Sequence, residues 1–198
     1  MPMNRMHQRL CSSAEWAQGV KDQLLPWALN GVDLGDDVLE IGPGYGATTR
    51  VLIDRAPRLT AIELDPALAR DLDTELRERA TIVTGSGAEL PFPDASFSAV
   101  VCFTMLHHIP TRAEQDAVFA EACRVLKPGG VFAGSDSQPS LRFRFLHLGD
   151  TMTVVDPRTA PARLERAGFT SVRVDLAPKP KRALRFAAHK PGRPGRDG

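Results

Sequence analysis

The stretch Val38-Leu39-Glu40-Ile41-Gly42-Pro43-Gly44-Tyr45-Gly46 passes from a strand pattern into a turn with three glycines. Val38, Leu39 and Ile41 are apolar and mostly β-branched, which suits a strand buried in a parallel sheet. The glycines let the backbone turn sharply and approach a ligand, because no Cβ stands in the way. A helix is expected just after, over Ala47 to Arg55. Its free N–H groups would point back at whatever sits over the turn. Strand, glycine turn and helix together describe a nucleotide-binding unit.

Working outward, strands are expected over Asp36–Ile41, Leu59–Glu63, Thr81–Thr84, Phe97–Phe103 and Val131–Ser135. Between them Asp65-Pro66 reads as an N-cap with a first-turn proline, opening a helix to about Arg79. Thr111 and Glu114 have the spacing of a capping box, opening a helix to Leu126. Lys127-Pro128-Gly129-Gly130 should stop that helix. Strand and helix alternate, so the sheet is parallel with helices on both faces and right-handed crossovers. Ligands of such sheets bind at the carboxyl ends of the strands. The loops of interest begin at Gly42, Glu63, Gly85, Thr104 and Asp136.

The flanks differ from this core. Ser12 to Leu29 reads as a helix with Trp16, Val20, Leu24 and Trp27 on one face, Ser12 or Ser13 as cap and Pro26 near its end. It either lies over the ligand site or packs on the sheet. Gln138 to Val155 has no periodicity. Asp156-Pro157 is a second cap-and-proline pair, and Gly168 a C′ glycine. Val172–Leu176 and Ala183–Ala187 are strands with six residues between them, too few for a crossover, so they form a hairpin and one strand runs antiparallel. Lys190 to Gly198 is glycine, proline and charge, and is expected to be disordered. One domain over residues 1–190 follows: a helical cap at 1–30, a core at 36–135, a segment with the hairpin at 136–190, and a tail at 191–198.

Composition narrows the partners. Net charge is +1, which gives no bulk attraction to a polyanion, and no added basic domain suggests nucleic acid. No apolar run is long enough to span a bilayer, so no membrane partner is expected. Three cysteines without CxxC spacing fit a reducing, cytoplasmic setting.

Two nucleotides compete for the turn. Gly42-x-Gly44-x-x-Ala47, with Glu63 about 20 residues on, satisfies a relaxed dinucleotide fingerprint. Three features oppose it. Glu40, two residues before the first glycine, would repel a pyrophosphate. Gly46 arrives one place early. The terminal hairpin has no role in a six-stranded parallel sheet.

Several motifs in order decide between them. They are Glu40 to Gly46, Ala61-Ile62-Glu63-Leu64-Asp65, Leu90-Pro91-Phe92-Pro93-Asp94 with Ser96-Phe97, Leu106-His107-His108, and Arg124-Val125-Leu126-Lys127-Pro128-Gly129-Gly130. Together they resemble the class I S-adenosylmethionine-dependent methyltransferases, in the small-molecule group with a compact methyltransferase domain. The resemblance implies an α/β, Rossmann-like three-layer sandwich. Its seven-stranded sheet would have order 3-2-1-4-5-7-6, with strand 7 antiparallel. It also implies S-adenosyl-L-methionine as cofactor and S-adenosyl-L-homocysteine as product. Glu40 would favour the cationic end of the cofactor, and Gly42, Gly44 and Gly46 would admit it. Glu63 would accept from both ribose hydroxyls. Ser86 stands where the family carries an acid for the adenine amino group, helped by the backbone of Gly87 and Ala88. Leu64 and Thr104 complete the implied cofactor set.

The expected chemistry is in-line transfer of the methyl group to a small, partly apolar acceptor, the protein supplying proximity and alignment. His108, just past the fourth strand, is the candidate base, and His147 a second. Phe143, Phe145 and Leu148 would line an apolar pocket or belong to the core. His107-His108 has no third ligand at metal spacing, so no metal is expected. Two other classes remain at this point: a protein that binds the cofactor without methyl transfer, and a nicotinamide oxidoreductase.

Overall fold

In the computed structural model the described residues are 4–146, 150, 152–178 and 182–192. Seven strands form one sheet in the order β3-β2-β1-β4-β5-β7-β6. They are β1 Asp37–Ile41, β2 Arg58–Glu63, β3 Thr81–Thr84, β4 Phe97–Phe103, β5 Leu126–Ser137, β6 Thr170–Leu176 and β7 Ala183–His189. β7 is antiparallel to both β5 and β6, and the other pairs are parallel. Order and direction agree with the expectation. β1 is an interior strand between β2 and β4, with Ile41 paired to Ile62 and Cys102. The glycine turn therefore leaves the interior of the sheet rather than an edge.

The helices are α1 Arg5–Cys11, α2 Ala14–Gly19, α3 Leu25–Ala28, α4 Thr49–Leu52, α5 Pro66–Leu76, α6 Arg112–Val125, α7 Leu141–Leu146 and α8 Ala160–Arg166. The alternation of strand side chains splits the core in two. Leu39, Ile41, Val100 and Phe132 point to one face, against Val118, Phe119 and Leu164. Val38, Ala99, Val101 and Ala133 point to the other, against Val20, Leu25, Leu52 and Leu72. Each such buried Leu or Phe contributes about 1.5–3 kcal/mol.

Local chemistry explains most boundaries. Asp65 caps α5, its side chain accepting from the Ala67 and Leu68 N–H groups. Thr111 and Glu114 form the reciprocal capping box of α6. Gly168, at φ +101°, ends α8 with Phe169 N–H bonded to Leu164 O, a Schellman turn.

Several expectations need correction. The helix expected over Ser12–Leu29 is interrupted: Val20–Leu24 is one π turn between α2 and α3. The Pro26 ring would clash with the carbonyl four residues back and has no N–H to donate, and a wider turn removes both conflicts. Ser13 is the cap, accepting from Trp16 N–H. The helix after β1 is only four residues, shorter than Ala47–Arg55. Asp156 does not cap α8; its carboxylate takes the Arg158 N–H, and the helix starts at Ala160. α1 falls within the helical cap expected over residues 1–30, though no helix was placed before Ser12, and α7 was not expected at all. Lys190 is not part of a disordered end. Its ammonium donates to the Arg124 and Leu126 carbonyls at the C-terminus of α6, where a cation suits the helix dipole. Residues 193–198 of the expected tail lie outside the described residues.

Candidate active site

The carboxyl end of β1 carries three glycines with different jobs. Gly42 has φ +69°, donates to Ile62 O at 2.9 Å, and a Cβ there would press on Met105. Gly44 has φ +57°, and a Cβ added to it would meet nothing within 4 Å. Gly46 has φ +75°, and its Cβ would lie 2.4 Å from Leu72 of α5. Gly44 therefore borders open space, while Gly46 serves the packing of the turn against α5.

Glu63, at the end of β2, is joined to this turn. Its Oε2 accepts from Gly44 N–H and its Oε1 from Asp65 N–H, both at 2.9 Å. One accepted bond per oxygen leaves each a further lone pair. Leu64 follows and is 64% exposed, a large apolar side chain facing solvent beside the carboxylate. Beyond β3, Ser86 Oγ accepts from Ala88 N–H at 3.1 Å, and a Cβ on Gly87 would lie 2.5 Å from Ile41. Thr104, after β4, holds φ +52° and donates its N–H to Ser135 O at 2.8 Å. The fold thus brings the turn, Glu63, Leu64, Ser86–Ala88 and Thr104 to the same end of four adjacent strands.

Glu40 is buried beneath the turn. The Thr48 hydroxyl donates to its Oε1, and the buried Thr49 hydroxyl stands beside the carboxylate without reaching hydrogen-bond geometry, which leaves Oε2 unpaired. Burial pushes the Glu40 carboxyl up to about 7, against the hydroxyl groups that hold it down. A buried, underbonded acid is costly unless something completes it.

A second polar group lies past β4 and β5. His107 Nδ1 is 2.5 Å from Asp136 Oδ1, and both side chains are buried. Asp136 Oδ2 is buried without a partner. His108, half-buried, stands between two rings, with centroids 4.2 Å from His107 and 5.0 Å from His7. Phe143 of α7 meets the His107 ring edge-on at 5.1 Å. α1 is held over this group by Asn4 and His7, which both contact the Asp150 carboxylate. So the N-terminal helix is anchored beside the histidines.

His108 is where the sequence places it, but the carboxylate partner belongs to His107. Asp136, His7 and Asp150 were missed. Asp136 ends a strand, and only the β4–β5 pairing carries it to His107. Phe143 is buried beside the histidines, whereas Phe145 is 66% exposed and belongs neither to a pocket nor to the core. Two residues apart on a helix, they face opposite ways. His147 and Leu148 lie outside the described residues. Among the described residues no three His, Cys, Asp or Glu side chains are placed to hold a metal ion.

A family model described as a methyltransferase domain matches residues 39–134, the strands that carry this end of the sheet. Residues 39–134 are thus a methyltransferase domain, as the resemblance to the class I S-adenosylmethionine-dependent methyltransferases implies. A protein of Mycolicibacterium smegmatis named a probable S-adenosylmethionine-dependent methyltransferase is 39% identical over 98 residues, which are 50% of this chain and 37% of that protein. The 27-O-demethylrifamycin SV methyltransferase of Amycolatopsis mediterranei is 31% identical over 138 residues, 67% of this chain and 44% of that enzyme. The chain thus spans less than half the length of either relative. A solved Haloferax volcanii methyltransferase, titled as putative and in complex with its Trm112 activator, superposes with a TM-score of 0.74 over 96% of this chain and 100% of that one. At 16% identity that likeness shows the fold alone.

Proposed function

We propose that the chain moves the methyl group of S-adenosylmethionine, in line, to a hydroxyl of a small, partly apolar acceptor, with the His107–Asp136 pair taking the proton. The observation that carries this is the buried imidazole–carboxylate bond at the ends of β4 and β5. The rifamycin relative, whose name places its acceptor at an oxygen, supports a hydroxyl over other acceptor atoms.

The residues suit the cofactor. Glu40 Oε2 and Thr49 Oγ1 are buried and unpartnered, and Gly44 faces open space, which fits an amino-acid-tailed cation lodged over the turn. Glu63 would hold the ribose through the lone pairs that the backbone leaves free. Leu64 would cover the adenine, with Ser86, Gly87 and Ala88 along its edge and Thr104 toward the acceptor. The bound cofactor supplies an electrophilic methyl group on a sulfonium.

The chain's own part is alignment and the proton. Asp136 accepts from Nδ1–H of His107, which fixes the tautomer and leaves Nε2 basic. That atom would receive the hydroxyl proton as the O–C bond forms, and Asp136 would stabilise the resulting imidazolium. This moves the role of base from His108 to His107, and His108 becomes part of the wall. Phe143 and His7 exclude water from above. The test is S-adenosylhomocysteine release across hydroxylated aromatic and macrocyclic acceptors, with S-adenosylmethionine and NAD binding compared by calorimetry. Binding of NAD in place of S-adenosylmethionine, or tight cofactor binding with no product over the panel, would sink the reading.

A further inference from the structure

We infer that the rim formed by α1, α7 and the end of the β6–β7 hairpin docks on an anionic phospholipid surface. α1 and α7 are each two-faced. Their inner residues, His7 and Phe143, pack on the histidines past β4. Their outer residues are apolar and in water: Leu141 is 88% exposed, Phe145 66%, and Met6 also faces solvent. Leu176, at the end of β6, is 59% exposed, and Met152 lies beside the Asp150 tether of α1. The hairpin end is fixed to the start of α7, because Gln138 N–H donates to Arg182 O at 2.9 Å and Arg182 Nη1 donates to Pro139 O at 3.1 Å. The apolar residues thus belong to one connected rim. A monomer seldom keeps such side chains in water without a use.

Charge selects the occupant. The chain as a whole is balanced, with 25 cationic and 24 acidic residues. The rim is not. α1 reads Arg-Met-His-Gln-Arg-Leu-Cys and α7 reads Leu-Arg-Phe-Arg-Phe-Leu, and neither sequence contains a carboxylate. Arg5 and Arg9 are exposed, lie about one helical turn apart on either side of Met6, and form no ion pair among the described residues. Arg182 is exposed on the hairpin. Asp150 and Asp175 are engaged by Asn4 and His7 and by Arg185. Apolar side chains interleaved with cations match a lipid headgroup boundary, where the apolar groups enter and arginines meet phosphate. A purely apolar protein partner would not call for the arginines. No helix among the described residues is long and apolar enough to cross a membrane, so the contact is peripheral. It replaces the expectation of no membrane partner, which rested on the lack of a spanning segment.

Because the same two helices cover the histidine site, docking would open that site toward the lipid and suit an acceptor dissolved in the bilayer. That last step rests on the proposed methyl transfer; the docking does not. The test is co-sedimentation of the whole chain with phosphatidylcholine vesicles, with and without phosphatidylglycerol. The chain should pellet with the anionic vesicles and be released by high salt. Leu141→Ser with Phe145→Ser should cut the bound fraction about tenfold, and Arg5→Gln or Arg9→Gln about fivefold each. All variants should bind S-adenosylmethionine as the parent does, which shows that they fold. The inference is overturned if the parent ignores anionic vesicles or if the apolar double variant binds them equally. It is also overturned if that variant instead converts a dimer to a monomer, which would make the rim a contact between copies. Vesicle binding needs no acceptor, so its failure leaves methyl transfer untouched, and a failed acceptor screen leaves the vesicle result standing.

Discussion

His107 and Asp136 meet at 2.5 Å although 29 residues apart in sequence, because β4 and β5 are neighbours and each residue follows the carboxyl end of its pairing. Asp136 faces the same side of the sheet as Phe132, the side on which His107 is buried. The bond gives the imidazole one defined donor and one defined acceptor. Asp136→Asn keeps the shape and removes the charge. With an acceptor in hand, it should lower kcat by about hundredfold, the low end for a lost proton acceptor. KM for S-adenosylmethionine should hold. His107→Gln should cost about as much, and the double variant no more than either, since the two act as a unit. Initial rates of S-adenosylhomocysteine release across pH check this. The parent's rate should fall at low pH, where an imidazole base is already protonated and cannot accept, and an Asp136→Asn profile of the same shape as the parent's would reduce the pair to a structural bond.

The sheet could be read from the sequence because each strand is a short apolar run closed by a turn signal. That one strand of the terminal hairpin runs antiparallel followed from chain length, six residues being too few for a crossover, and the family resemblance made it β7. The end of the sheet proposed to hold the cofactor was legible for the same reason: Gly42, Gly44 and Glu63 are close in sequence to the strands that place them. The His107–Asp136 group was not. Asp136 has no local signature, and His7 reaches His108 only through the Asn4–Asp150 tether. α1 and α7 are short helices whose stability comes from tertiary contact rather than from propensity, so periodicity over six or seven residues could not announce them.

Glu63 does two things at once, and its removal should show both. It ties Gly44 and Asp65 N–H groups together, and in the proposed function it also accepts from the ribose diol. Glu63→Ala should weaken S-adenosylmethionine binding by about 1.5–3 kcal/mol, the scale of charge-assisted hydrogen bonds. Glu63→Gln, which can still accept one bond, should lose less. Calorimetric titration reads both. An unchanged dissociation constant in Glu63→Ala would remove the residue from the site.

Gly44 and Gly46 differ in what lies beside them, so their substitutions should separate binding from folding. At Gly46 an added Cβ collides with Leu72 at 2.4 Å on top of a positive φ. Gly46→Ala should lower the melting temperature strongly, because both α5 and the turn must shift. At Gly44 the space is open and only the φ of +57° resists, which costs about 1–2 kcal/mol. Gly44→Val should therefore fold but fail to bind cofactor, its side chain occupying the ligand's space. Thermal denaturation with and without S-adenosylmethionine distinguishes them: Gly44→Val should melt near the parent and gain nothing from the cofactor. A Gly44→Val protein stabilised as much as the parent would mean that the turn does not face the ligand.

Glu40 makes stability depend on pH in a sense opposite to most carboxylates. Burial raises its pKa from 4.5 to about 7, with Thr48 pulling the other way. Between those values the native state holds a proton that the unfolded chain has released. The contribution of Glu40 to native stability is then greatest below about pH 4.5 and declines as pH rises toward 7, by about 3 kcal/mol in all. Asp37, held well below the usual carboxylate range by Arg58 and Lys127, titrates beneath this window and does not mask it. Urea denaturation between pH 5 and pH 8 should show the decline, and Glu40→Gln, neutral throughout, should flatten it. Cofactor affinity should run the other way. The ionised Glu40 attracts a cation that the protonated acid does not, so binding should tighten as pH rises through 7. If Glu40→Gln keeps the parent's pH dependence in both measurements, the buried acid is neither the titrating group nor the cofactor's counter-charge.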